Sequence, residues 1–216
     1  MKNAHRIIAM DGPAASGKSS VARALACRLN FVYVNSGEMY RAITWHVLEQ
    51  GIDPKATDHV AQLVQRFEIT SDLRNNQSHV RIDDVDPTPH LRDDRVNNAV
   101  SAVSAVPQVR HCVDEKMRNY AQDHDLVVEG RDIGSVVFPD TPYKFYIDAS
   151  PEVRSRRRAA EGQRDEIAAR DRADSLRAAA PLVIAKDAEV IDTSTMTIDD
   201  VVNEIVCRLK SKGFPL

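Results

Sequence analysis

One stretch near the start limits the fold more than any other. Residues 7–11 read Ile-Ile-Ala-Met-Asp, and residues 12–20 read Gly-Pro-Ala-Ala-Ser-Gly-Lys-Ser-Ser. The second segment fits G-x-x-x-x-G-K-[ST], a phosphate-cradling pattern. The apolar run at 6–10 predicts a strand. Beyond it, Val21, Leu25 and Leu29 recur every four residues and predict a helix face. A strand therefore enters a loop and the loop opens a helix. Main-chain N–H groups and the positive end of the helix dipole then converge where a polyphosphate would sit. Gly12 and Gly17 admit close backbone approach, with Pro13, Ala14, Ala15 and Ser16 between them. Lys18 can reach outer phosphates, Ser19 can offer its hydroxyl to Mg2+, and Ser20 follows in the first turn.

The rest of the chain alternates the two periods. Residues 31–34 predict a second strand, and Met39, Ile43 and Val47 predict a helix over 38–50 that Gly51 stops. This second strand-to-helix turn puts Ser36 at a helix start and Arg41 in its first turns. Thr57 is a candidate N-cap for a helix to about residue 67. Residues 68–89 change character: runs at 68–70 and 79–82, then Val85, predict a small antiparallel insert beside the main layer. His79 and His90 read as surface residues. A helix follows over 93–106, carrying Ser101. Another begins at Pro107 and carries Arg110.

Residues 126–129 predict a buried strand ending in Glu129, followed by a turn holding Arg131 and Asp132. At the carboxyl end of a parallel strand beside the loop, Glu129 is placed to face a metal ion through water. Strands are also expected at 143–148 and 188–191, and Ser150-Pro151 and Thr197 open helices. Alternating strands and helices indicate an α/β fold, a parallel sheet covered by helices on both faces.

Composition narrows the class. The 216 residues carry a formal net charge of -3, which argues against bulk nucleic-acid binding. Cys27, Cys112 and Cys207 lie far apart, as suits a reducing compartment without a zinc site. No apolar run approaches the roughly 20 residues of a membrane span, and the first strand begins too early for a signal peptide. The expectation is a cytoplasmic protein with no membrane or nucleic-acid partner.

Arginines point to the chemistry. Arg154, Arg157 and Arg158 share one helical face, as do Arg170, Asp174 and Arg177. Like charges on one face repel unless an anion lies between them; a solvated face is the ordinary alternative. With a phosphate loop, they suggest phosphoryl transfer, in which the protein positions groups and neutralises charge. Arginine suits this because its fork pairs two phosphate oxygens and keeps its charge. The lack of a compelling histidine or carboxylate dyad fits an acceptor that is itself a phosphate.

Several segments together resemble the bacterial cytidylate kinase family, of the nucleoside monophosphate kinases. They are residues 11–19, 36–41 (Ser-Gly-Glu-Met-Tyr-Arg), 130–140 (Gly-Arg-Asp-Ile-Gly-Ser-Val-Val-Phe-Pro-Asp), Arg170-Asp-x-x-Asp174-x-x-Arg177, Ala180-Pro-Leu and Asp192-Thr-Ser. The resemblance implies a P-loop kinase three-layer fold with a core (about 1–34, 107–150 and 180–216). It adds an acceptor-binding insert (about 35–106) and a short helical lid (about 151–179). It implies transfer from ATP to CMP or dCMP with Mg2+, by a monomer. The alternative is a P-loop kinase for UMP, AMP, dTMP or a small metabolite. By resemblance, Gly12 to Ser20 hold the donor phosphates, Lys18, Arg131, Arg177 and Arg157 are catalytic, and Arg154, Arg157 and Arg158 belong to the lid. Ser36, Arg41, Arg131 and Arg177 face the acceptor phosphate, Arg170 and Asp174 the ribose, and Ser101, Arg110 and Asp132 the cytosine edge. The sequence departs from the family at Glu129, where aspartate is usual, and in a short stretch between Arg158 and Arg170.

Overall fold

Strand β1 (Ile7–Asp11) lies inside the sheet because both its faces are apolar. It pairs in parallel with β5 (Leu126–Gly130) on one side and β6 (Tyr143–Asp148) on the other. The computed structural model describes residues 5–160, 167–177 and 180–215. Its other strands are β2 (Val32–Asn35), β3 (Ile69–Arg74), β4 (Gln77–Ile82) and β7 (Glu189–Asp192). The sheet order is β3-β4-β2-β5-β1-β6-β7, parallel from β2 to β7.

Strand alternation assigns the two faces. Ile8, Met10, Val127, Phe145 and Ile147 pack under α1 (Lys18–Leu29) and α8 (Ile198–Ser211), against Val21, Leu25, Val202, Ile205 and Leu209. Ala9, Val34, Leu126 and Val128 point the other way. They meet α2 (Ser36–Glu49), α3 (Thr57–Val64), α4 (Asp94–Val103) and α5 (Pro107–Asp123), through Met39, Ile43, Val60, Val100, Val113 and Met117. A period of two along each strand thus builds the three layers that the sequence predicts.

Helix starts follow side-chain chemistry. The Asn35 Oδ1 accepts from Glu38 N–H at 3.2 Å and opens α2 directly off β2. Ser150 Oγ accepts from Val153 N–H, opening α6 (Pro151–Ala160). Thr197 and Asp200 form a reciprocal capping box on α8.

The antiparallel insert itself is present: β3 and β4 form a hairpin that extends the main sheet beside β2, with Tyr33 opposite Gln77 in parallel. Its turn uses Asn75 and Asn76, both at positive φ, the geometry that matches hairpin twist. Four expectations change. Val85 only bridges back to Ile82. Thr57 is the first residue of α3 rather than its cap, because Ala56 C=O already accepts from Val60 N–H; the helix stops at Val64. Helix α4 ends at Val103, short of residue 106. Helix α7 (Ile167–Ser175) ends before Arg177, so Arg177 does not share its face with Asp174 by helical register.

On the insert side, Trp45 of α2 stacks on His90, with ring centroids 5.9 Å apart and planes 7° apart. His90 is exposed, as expected.

Candidate active site

A cleft of about 480 Å³ opens where β1, β2 and β5 end, lined by the loop after β1 and by α2, α4 and the segment after β5. Ligands collect at this edge of an open α/β sheet because helix N-termini and loop amides face it.

The loop's carbonyls are taken up one after another by side chains. Gly12 C=O accepts from Arg131 Nη1 at 3.0 Å, and Pro13 C=O from Lys18 Nζ at 2.7 Å. Ala14 C=O accepts from Arg154 Nη1 at 3.1 Å. Ser16 C=O accepts from Arg157 Nη1 at 3.0 Å and from Thr193 Oγ1 at 2.9 Å. Binding the acceptor ends of these peptides fixes the loop. Ala14, Ala15, Gly17, Lys18, Ser19 and Ser20 line the cleft. Gly12 is obligatory: a Cβ there would lie 2.1 Å from Ile147 O.

Two arginines are held by one acid. Asp174, 2% exposed, accepts from Arg131 Nε at 3.0 Å and from Arg177 Nη2 at 2.5 Å. Arg177 also donates to Ser104 Oγ at 2.9 Å. Arg41 donates to Gly37 O at 3.1 Å and to Asn97 Oδ1 at 3.5 Å. Ser36 Oγ donates to Glu129 C=O at 2.8 Å, tying the start of α2 to the end of β5. Arg41, Arg131, Arg177 and Lys18 all line this one cleft.

Deeper, between α5 and the segment after β5, Arg110 and Asp132 form a buried ion pair. Arg110 also donates to Ser104 C=O and lies over the Tyr40 ring. Burial pushes the Asp132 carboxyl up, and the Arg110 guanidinium opposes that shift. Ser101 Oγ reaches Asp174 Oδ1 at 3.4 Å.

Glu129 sits at the junction of loop and sheet. Its Oε2 accepts from Ser19 Oγ at 2.9 Å and its Oε1 from the Tyr33 hydroxyl at 2.5 Å. Asn35 Nδ2 approaches the same hydroxyl at 3.2 Å and Glu38 Oε1 at 3.2 Å. With its O–H donated in a hydrogen bond to Glu129, the Ser19 oxygen keeps lone pairs for a cation. Hydroxyl and carboxylate are the hard oxygen donors that Mg2+ takes, so these residues fit that ion.

The structure brings most of the sequence-predicted residues to this cleft. Gly12, Pro13, Ser16 and Arg110 do not line it, and two of the arginines expected in a lid do not either. Arg154, Arg157 and Arg158, expected in a lid, all lie on α6, yet among them only Arg158 lines the cleft. Arg154 and Arg157 are bound to loop carbonyls, and Arg154 pairs with Asp171. The protein's own acid and carbonyl oxygens thus meet Arg154 and Arg157. The Arg170 side chain lies outside the described residues. Sequence reading gave no role to Tyr33, Asn97, Ser104, Asp171 or Asp11, although Asp11 and Asp171 stand in the segments that carry the family resemblance. Asp11 accepts from Ile133 and Gly134 N–H at 2.8 Å each and so sets the path of Arg131 and Asp132.

A glycine loop between a central parallel strand and a lysine-led helix, facing arginines held over the same cleft, defines a P-loop phosphotransferase. The cytidylate kinase family model matches residues 8–211, and the chain belongs to that family. It is 46% identical to a cytidylate kinase of Corynebacterium efficiens, over 93% of this chain and 92% of that one. It is 42% identical to that of Pelotomaculum thermopropionicum, over 94% and 96%. It is 41% identical to that of Limosilactobacillus reuteri, over 92% and 92%. The chain is therefore a kinase with nucleotide substrates. Among the described residues no helix is long and apolar enough to cross a membrane.

Proposed function

We propose that this protein transfers the γ-phosphoryl group of ATP to CMP and dCMP, releasing ADP and CDP or dCDP, and that the cleft residues divide the work as follows. Residues 12–20 hold the donor phosphates, with Lys18 on the outer ones. Ser19 would hold Mg2+, with Glu129 facing it through water, and the ion would supply charge neutralisation on the donor. Ser36, Arg41, Arg131 and Arg177 receive the acceptor phosphate, and Asp174 and Arg170 the ribose. Ser101, Arg110 and Asp132 read the base. Residues 35–106 act as the acceptor-binding insert and about 151–179 as the lid, with Arg154, Arg157 and Arg158 on the donor side.

The attacking atom is an acceptor phosphate oxygen, already anionic near neutral pH. It forms a bond to the γ-phosphorus as the bond to the β–γ bridging oxygen breaks, and ADP leaves with that oxygen. No general base is needed, so catalysis is positioning and charge neutralisation. Arg131 supports both ends of this arrangement: it binds the donor loop at Gly12 and shares Asp174 with Arg177. That bridge is the observation that carries the reading.

The base is read by complementarity. The cytosine amino group donates to Asp132, while its ring nitrogen and carbonyl accept from Arg110 and Ser101. Uracil presents a carbonyl where cytosine has its amino group. An unpaired buried polar group costs about 1–3 kcal/mol, a preference of roughly tenfold to a few hundredfold for CMP.

The test is an acceptor panel: Mg-ATP with CMP, dCMP, UMP, AMP or dTMP, following ADP release. CMP and dCMP should be fastest. Faster turnover of UMP or AMP would overturn the base assignment.

A further inference from the structure

Helix α7 carries two acids three residues apart, and each fastens a different side of the site to the same loop. Asp174 holds Arg131 and Arg177, and Arg131 reaches Gly12 C=O. Asp171 does something the reading above does not use. Its Oδ1 accepts from Ala14 N–H at 2.9 Å, and its Oδ2 pairs with Arg154. Arg154 in turn donates to Ala14 C=O at 3.1 Å. Asp171 and Arg154 are 15% and 14% exposed, so the contact is largely shielded from water.

Both main-chain polar groups of Ala14 are therefore capped from the lid helices, one by an acid and one by its partner base. The next residue shows why this is needed. Ala15 has φ 58°, a left-handed conformation that disfavours any side chain with a Cβ. Such a residue persists where its surroundings over-determine it. No glycine stands between Gly12 and Gly17 to accept that geometry freely. The closed ring of Asp171, Arg154 and Ala14 lies immediately before the strained peptide and supplies the constraint.

We infer that Asp171 is a positioning residue for the donor site, acting through Ala14 to hold the phosphate loop in its binding shape. Helix α7 then shapes the loop and orients the acceptor arginines with a single rigid turn. The inference rests on the reading of residues 12–20 as the ATP cradle. A mechanical coupling follows: a lid helix that moves away from the loop releases Ala14 and loosens the nucleotide grip at the same time.

The experiment uses the full chain and measures binding rather than turnover. Wild type, Asp171→Ala and Asp171→Asn are titrated calorimetrically with Mg2+ and a non-hydrolysable ATP analogue, and separately with CMP. Thermal unfolding of each is recorded alongside. The expected result for Asp171→Ala is about tenfold weaker binding of the analogue, with CMP affinity within twofold of wild type. Asp171→Asn keeps an oxygen for Ala14 N–H but loses the charge pair, and should fall between the two. Analogue binding within twofold of wild type in Asp171→Ala, or tighter, would overturn the inference. Equal losses for analogue and CMP in both variants would do the same, because that pattern marks general damage. Failure of wild type to bind the analogue would instead overturn the assignment of the loop to ATP.

Discussion

Arg110 and Asp132 meet as an ion pair with their side chains 6% and 4% exposed, inside the cleft wall rather than at its rim. A buried pair with one member removed leaves an uncompensated charge, which costs about 3–5 kcal/mol. Asp132→Asn keeps the shape but leaves the Arg110 charge uncompensated, so the readout is a ratio of two substrates on the same folded variant, which a general loss of stability does not move. Asp132→Asn replaces one acceptor oxygen with a donor that suits the uracil carbonyl. The ratio of kcat/KM for CMP over UMP should fall by roughly tenfold or more. An unchanged ratio would remove Asp132 from base reading.

Glu129 receives hydrogen bonds from Ser19 and Tyr33, one on each oxygen. Glu129→Gln keeps the volume and loses the charge. The Mg2+ concentration giving half-maximal rate should rise by roughly tenfold, with CMP affinity in the absence of Mg2+ unchanged. A magnesium titration identical to wild type would show that the carboxylate has no part in holding the ion.

Asp114, on α5 near Arg110, is a buried acid whose carboxyl is pushed up to about 6 by burial, with Arg110 opposing. Its ordinary value is 3.8. An acid raised in the folded state takes up a proton on folding between those two values. Its cost to stability is absent below about 4 and complete above about 6, where it is ionised in both states. Asp114→Asn should therefore stabilise the protein at pH 8, by of the order of 1–3 kcal/mol, and have little effect at pH 4. Urea unfolding at the two pH values decides it. Equal effects at both would refute the titration argument.

Gly12 faces Ile147 O so closely that a methyl group cannot enter. Gly12→Ala must push β6 or the loop aside. The expected outcome is a loss of roughly 2–4 kcal/mol in urea unfolding and abolished ATP binding. Retained ATP affinity would show that the loop can be displaced without consequence.

The layers were legible because burial writes itself into periodicity. The apolar run through Ile8, Ala9 and Met10 marked a strand buried on both sides, and Val21 and Leu25 repeat one turn apart, so strand and helix could be told apart from residue order, while which residue faces which layer came from the structure. The phosphate loop was legible because its chemistry is local. What sequence reading missed acts across distance. Asp11 meets Ile133 and Gly134 through 122 and 123 residues of separation, and Asp171 meets Ala14 through 157. No periodicity announces such contacts. The hairpin of β3 and β4 joins the sheet opposite a single residue of β2, a docking that strand propensity cannot specify. Arg177 shows the reverse error. Its spacing from Asp174 reads as helical, yet the helix ends at Ser175 and the two still pair. A charge pair three residues apart survives in an irregular turn, so spacing alone overstates the helix.

The Trp45–His90 stack has a practical corollary. The chain contains one tryptophan, and it lies four residues along α2 from Arg41. Emission excited at wavelengths that only tryptophan absorbs therefore originates at one point on α2, beside the His90 imidazole, whose displacement alters quenching. The polypeptide comes with its own dye, and stopped-flow records of that helix require no added label.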